Sequence, residues 1–221
     1  MHIYILFLVR CICMNKQREK RLNFVGLQNN AIWQFFHNLF PGVNSNFSSA
    51  FENMTVETRA GRILLRQCMP SDARAVHEIM KEPAVRRYLT NPPSNLRKTL
   101  EMIRRERKEG RLTIVAVLEG RVVACAALNP YKGRASHLAS FRVDVSPALQ
   151  GNGIGSAMLK ALFEAAKRRG IEKIEANYMA DNAAAARLYK KLGFVQEGVR
   201  EGSFKRDDGN PVNRILIAKW L

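Results

Sequence analysis

Four cysteines and four histidines in 221 residues leave little material for a metal centre. Only Cys11 and Cys13 stand close together, as C-x-C, and neither a second pair nor matched histidines complete a zinc set. Cys125 falls in the apolar run 122–128, where a thiol packs as a small hydrophobe. His2, His37, His77 and His137 are scattered, so no metal is expected. Free thiols of this kind fit a reduced, cytoplasmic compartment. Long apolar runs are missing as well. The run 3–9 stops at Arg10, far short of the roughly twenty residues that cross a bilayer. A basic leader and a small-residue cleavage site are both lacking there, so neither export nor a membrane partner is expected.

Acidic residues are scarce. Nineteen Asp and Glu face thirty-six Lys and Arg, a formal net charge of +17. Such a field favours polyanions: nucleic acid, the ribosome, an acidic protein partner or a phosphate-rich small molecule. Charge alone selects none of them, and a solvated basic surface explains it equally well. The apolar fraction of 47% is that of an ordinary globular chain.

Residues 1–53 mix polar patches (Gln28, Asn29, Asn30) with isolated aromatics (Trp33, Phe35, Phe36, Phe40) and show little period. They are expected to be a poorly ordered extension, or an upstream start that the folded unit does not use, since Met54 could itself begin translation. Residues 54–221 are expected to form the domain. Strands are predicted at 62–67, 113–118, 121–128, 138–145, 173–179, 194–204 and 213–220. Helices are predicted at 71–80, 95–109, 155–169 and 182–192. This order implies an α/β protein of the α+β type, with a mixed sheet flanked by helices.

The strongest local signal is Gln150-Gly151-Asn152-Gly153-Ile154-Gly155, set between a strand and an amphipathic helix. Glycines let the chain turn tightly and let a ligand approach the backbone closely. Unpaired N–H groups at the helix start then converge on one spot, with the positive end of the dipole behind them. That combination makes a phosphate cradle; a plain tight loop is the alternative. A dinucleotide fingerprint would need glycine at position 156, where Ser156 stands, and too few residues follow to complete a doubly wound sheet.

One βα unit later comes Asn182-Ala183-Ala184-Ala185-Ala186-Arg187-Leu188-Tyr189-Lys190-Lys191-Leu192-Gly193-Phe194. Together the two segments resemble the central motifs of the GNAT N-acetyltransferase superfamily, Q-x-x-G-x-G and N-x-x-A-x-x-L-Y-x-x-x-G-F. The resemblance extends over roughly residues 60–221, because the element order matches as well. It implies a mostly antiparallel sheet of six to seven strands with about four helices. It also implies acetyl-CoA as co-substrate and a primary amine as acceptor, on a protein N-terminus, an amino acid or another small molecule. Val143 and Val145 would offer backbone groups to the pantetheine arm. The amides of Gly151, Asn152, Gly153, Ile154, Gly155 and Ser156 would bind the pyrophosphate, with Gln150 shaping the turn. Asn182 would bond the cofactor arm, and Tyr189 would protonate the departing thiolate.

Read from the residues alone, Asn182 is an ordinary helix cap and Tyr189 shares a face with Ala185, Leu188 and Leu192, as a core residue would. The base is left unassigned. Asn177 stands where ribosomal-protein-type relatives often carry Glu, and Ala139 and Ser140 occupy the stretch that is acidic in histone-type ones. Asp144 and Glu175 are carboxylates nearby that surface exposure would equally explain. The acceptor groove would be lined by 88–94 and 204–213. Two further readings stay open: a module that binds acetyl-CoA without turnover, and a basic ribosome- or RNA-associated protein. Monomer and homodimer are both compatible with the sequence.

Overall fold

The structure, a computed structural model, describes residues 51–221. The extension expected at 1–53, with Cys11 and Cys13, lies outside the described residues apart from 51–53. Eight strands form one sheet: β1 (Met54–Thr58), β2 (Gly61–Gln67), β3 (Leu112–Leu118), β4 (Arg121–Pro130), β5 (Leu138–Val145), β6 (Lys173–Met179), β7 (Val195–Lys205) and β8 (Pro211–Trp220). Their spatial order is β1-β2-β3-β4-β5-β6-β8-β7. Every neighbouring pair is antiparallel except β5–β6. The helices among the described residues are α1 (Ala73–Lys81), α2 (Pro83–Arg86), α3 (Leu96–Lys108), α4 (Ile154–Lys167) and α5 (Ala183–Lys191).

The mixed, mostly antiparallel sheet is the one expected, with one strand and one short helix more. β1 pairs along its whole length with β2, yet its sequence MTVET leaves most side chains exposed or half-exposed. Alternation of buried apolar residues is therefore absent, and with it the signal. α2 has four residues, too short to show a helical period.

Local chemistry explains the rest. Glu119 and Gly120, at φ 48° and 76°, close a two-residue turn that joins β3 to β4 and sets Leu118 opposite Arg121. Positive φ at both positions matches the twist of the strands it connects. Asn95 caps α3 by accepting the Lys98 N–H at 3.0 Å. In α4, Met158, Leu159, Leu162 and Phe163 are buried against the sheet. Each such side chain contributes about 1.5–3 kcal/mol by leaving water.

The sheet carries a core on each face. On one, Leu112, Ile114, Leu128, Phe141 and Ile174 meet α4 and the α5 residue Tyr189. On the other, Cys68, Val115 and Cys125 meet α1 and the α3 residue Ile103. Cys125 is a buried free thiol packed in that second core. No helix among the described residues is long and apolar enough to cross a membrane.

Candidate active site

The parallel ladder between β5 and β6 is short. It runs from Leu138↔Lys173 to Ser140↔Glu175 and then stops. β5 continues to pair with β4 as far as Val145, and β6 with β8 as far as Met179. The sheet therefore opens between 141–145 and 176–179, where β5 presents an edge without a neighbouring strand among the described residues. Ser146 N–H donates to Val123 O, whereas the Val145 carbonyl accepts from Gln150 Nε2 at 3.1 Å. Backbone groups alternate sides along a strand, so those of Phe141, Val143 and Val145 face the opening. Val143 keeps both its N–H and its C=O on that edge; at Val145 the carbonyl is already taken by Gln150.

The glycine turn lies at the mouth of this opening. Gly151 and Gly153 have φ of 82° and 90°, and a Cβ built on either meets nothing within 4 Å. The left-handed backbone calls for glycine there. A Cβ on Gly155, in contrast, would sit 3.5 Å from Leu188 and 3.6 Å from Val145, because α4 rests there against β5 and α5. Asn152 braces the turn from within, donating Nδ2 to the Leu149 and Gln150 carbonyls, while its own carbonyl accepts from Arg59 N–H at 3.1 Å. Among the described residues, no acceptor meets the backbone N–H groups of residues 151–156. Ile154 buries its side chain in the core, and Ser156 is half-buried.

Asn182 caps α5 with its Oδ1, which accepts the Ala185 N–H at 3.0 Å. Its Nδ2 has no partner among the described residues. Tyr189 is 9% exposed, and its ring packs edge-on against Phe141 (5.4 Å between centroids) and tilted against Tyr178 (5.7 Å) and Phe194 (5.8 Å). Burial first, and then the charge of Asp144 and the neighbouring Tyr178, push its phenol above the ordinary range. It is thus a proton-bearing donor at every physiological pH. The ring fills core while the hydroxyl makes no hydrogen bond to a described residue. Gly155 of the turn thus packs beside Val143 and Val145, the Tyr189 ring rests on Phe141 of the same strand, and Asn182 heads α5 just past the end of β6.

A charged cluster that sequence reasoning missed lies on the other face of β5. Arg142 Nη1 donates to Asp144 Oδ2 at 3.0 Å, and its Nη2 lies 3.3 Å from Glu106 Oε1. Thr113 Oγ1 donates to Glu106 Oε2 at 2.9 Å. Asp144 and Glu106 are only 6% and 4% exposed, so the surface exposure considered for Asp144 is incorrect. Burial raises its carboxyl above the usual carboxylate range, against the opposing pull of Arg142. One guanidinium between two carboxylates leaves an excess of negative charge. Glu175, the other carboxylate weighed above, is half-buried and pairs with Lys173 at 3.3 Å. Two signals could have revealed the cluster. Ser140, Arg142 and Asp144 put polar residues on one face of β5, and Glu106 interrupts the buried stripe Thr99–Ile103 of α3.

Comparison with known proteins defines the class. Residues 73–194 match the family model described as the acetyltransferase (GNAT) family, and the chain belongs to that family. Among curated relatives, the chain is 35% identical over 78 residues to the [ribosomal protein bS18]-alanine N-acetyltransferase of Escherichia coli, a match covering 35% of this chain and 52% of that one. The chain thus spans about half the length of the curated relatives it matches first. It is 27% identical over 162 residues to the L-amino acid N-acetyltransferase AaaT of Escherichia coli, covering 71% and 97% of the two chains. Among solved structures, yncA of Salmonella typhimurium, determined with its cofactor acetyl-CoA, superposes with a TM-score of 0.64. It is 22% identical, and the match covers 72% of this chain and 94% of that one, which shows a shared fold.

Proposed function

We propose that residues 54–221 form an N-acetyltransferase domain that moves the acetyl group of acetyl-CoA to a primary amine. One observation carries the reading: the β5 edge opens beside a glycine turn whose amides from 151 to 156 have no acceptor among the described residues. An edge of this kind accepts an extended amide-bearing arm as it would a strand, and the amides suit a diphosphate. Val143 would hold the arm through both backbone groups and Val145 through its N–H alone. Asn182 would add its free Nδ2, and Gln150 would fix the turn through the Val145 carbonyl. The relatives named for ribosomal-protein alanine and L-amino acids support an amine acceptor.

Acetyl-CoA would supply the activated thioester. The amine attacks its carbonyl carbon; the N–C bond forms, the C–S bond breaks, and one proton leaves nitrogen while sulfur accepts one. Tyr189, protonated and packed on Phe141 of β5, would donate to the departing sulfur. The excess negative charge of the Asp144 cluster would draw the ammonium in, and Asp144 would accept its proton. Positioning supplies most of the remaining acceleration. A module that binds acetyl-CoA without turnover is the second reading, favoured by Ala139, Ser140 and Asn177; the buried Asp144 weighs against it. A reduced, cytoplasmic setting belongs to the same proposal, supported by the free thiols Cys68 and Cys125.

The test is calorimetry with acetyl-CoA and a thiol-release assay over an amine panel, with Gly153→Glu alongside. Binding and turnover in the wild type, both lost in Gly153→Glu, are expected. Cofactor affinity unchanged in that variant refutes the assignment of the turn.

A further inference from the structure

A cation with a buried donor that meets no acceptor among the described residues lies on the α1/α3 face of the sheet, one strand beyond the same opening. Arg214 of β8 stands opposite Met179, the last residue of β6. Tyr178 contacts Tyr189 and Ile215 packs with the α4/α5 core, so by alternation Arg214 and Met179 face the opposite side, as Asp144 does. Arg214 Nη2 donates to Thr90 Oγ1 at 3.4 Å, and its guanidinium carbon lies 5.7 Å from the centroid of the Phe204 ring. Its Nε is buried and meets no acceptor.

No carboxylate among the described residues pairs with Arg214. Asp181, on the neighbouring β6–α5 loop, is drawn off by Arg87 at 3.6 Å and by Arg206. Opposite Arg214 in the β7 ladder stands Arg200, an exposed cation without an ion pair among the described residues. Like charges facing each other across a ladder destabilise it, and a buried donor without an acceptor adds to that cost. An anion placed here relieves both.

The α1/α3 face of the sheet is therefore polarised around the opening, negative at Asp144 on β5 and positive at Arg214 and Arg200 on β8 and β7, the strands beyond β6. We propose that Arg214 receives a carboxylate carried by the acceptor itself, so that the substrate is an amino acid, holding its amine towards β5 and its carboxylate towards β8. This rests on the acetyl-transfer reading above. The acceptor is a small molecule and not the end of a polypeptide. The Thr90–Arg214 bond and the two ion pairs to Asp181 tie the 87–90 segment to the β7–β8 hairpin and the β6–α5 loop, contacts that favour a small acceptor over a passing chain.

The experiment measures CoA thiol release by the purified full chain with matched acceptors: an amino acid, its carboxamide, the decarboxylated amine, and a dipeptide beginning with that residue. The amino acid is expected to exceed the carboxamide in kcat/KM by about 100-fold, as a site built around a charged hydrogen bond discriminates. In Arg214→Gln that ratio collapses towards unity, Arg214→Lys restores part of it, and the KM for acetyl-CoA stays within about twofold. Equal use of amino acid and carboxamide by the wild type, or preference for the dipeptide, overturns the proposal and leaves the transfer reading standing. A raised KM for acetyl-CoA in Arg214→Gln also overturns it, because the arginine would then serve the cofactor. If all four acceptors fail, the dipeptide included, it is the transfer reading that has failed. The wild-type arm decides even if a variant does not fold.

Discussion

Tyr189 can be asked directly whether it serves as core or as catalyst, because its ring and its hydroxyl do separable things. The ring meets Phe141, Tyr178 and Phe194 at centroid distances of 5.4–5.8 Å and is 9% exposed. The hydroxyl has no partner among the described residues. Tyr189→Phe keeps every ring contact and removes a desolvated, unpaired polar group, so stability should change by no more than about 0.5 kcal/mol. Tyr189→Ala removes the ring and should cost about 3–5 kcal/mol. In a domain of this size that lowers Tm by roughly 6–20 °C.

Activity should divide the other way. If the phenol donates to the departing sulfur, Tyr189→Phe lowers kcat by about 100-fold. The KM for acetyl-CoA should hold, since binding is carried by β5 and the 150–156 turn. Thermal melts beside steady-state kinetics give both readouts. A Phe variant that melts like the wild type and turns over like it makes Tyr189 a core residue only. The catalytic assignment then fails.

Other substitutions test the surrounding parts. Gly153→Ala forces a left-handed backbone on a residue with a Cβ and should cost about 1–2 kcal/mol; it should also weaken acetyl-CoA binding in a thermal-shift titration. Gly155→Ala, where the new Cβ makes only ordinary contacts of 3.5–3.6 Å in a helix, should melt no lower than the wild type. Asp144→Asn should reduce amine acetylation by about 100-fold. Because burial raises the Asp144 carboxyl, its base form appears only as pH rises past the usual carboxylate range, so the acid limb of kcat/KM should sit above that range and vanish in the variant. Burial works against ionisation of Asp72 too, but bonds from Arg66 (2.7 and 2.8 Å) and the Met69 N–H overcome it and hold the carboxyl below its usual value. Its contribution is present above the unfolded pKa and lost as pH falls through the folded one. Asp72→Asn should cost about 2–3 kcal/mol near neutrality and less below pH ~4, a narrowing gap that melts at several pH values will show.

Seven of the eight strands, and every helix except the four-residue α2, are legible in the sequence, because each carries its own period or its own cap. The glycine turn and the Asn182–Phe194 segment are legible for the same reason: their chemistry is local. What escaped is relational. Nothing in 138–145 or 173–179 encodes that their pairing ends at Ser140↔Glu175, since that is settled between strands thirty-five positions apart in the chain. Asp144 looked like surface because its burial comes from Glu106 and Arg142, one of them thirty-eight positions away in the chain. Arg214 gave no sign, because an arginine near the end of a strand is usually solvated, and only Thr90, Phe204 and Arg200 around it make the position unusual.

β5 is the element on which these observations meet. Its odd positions, Phe141, Val143 and Val145, are apolar and seat α4 and α5; its even positions, Arg142 and Asp144, carry charge and meet α3. A strand paired on both edges could not use this contrast, since its backbone would be spent on neighbours. Here one edge is unpaired from Phe141 onward among the described residues, so a ligand arm lying along it would have the Tyr189 phenol on one side of the sheet and the Asp144 carboxylate on the other. After burial, the charge of Asp144 is among the influences that raise the Tyr189 phenol. On the proposed reading, the proton donor and the proton acceptor would lie on opposite faces of the sheet and meet only where it opens. Such a separation would keep a carboxylate and a phenol from satisfying each other, which would silence both.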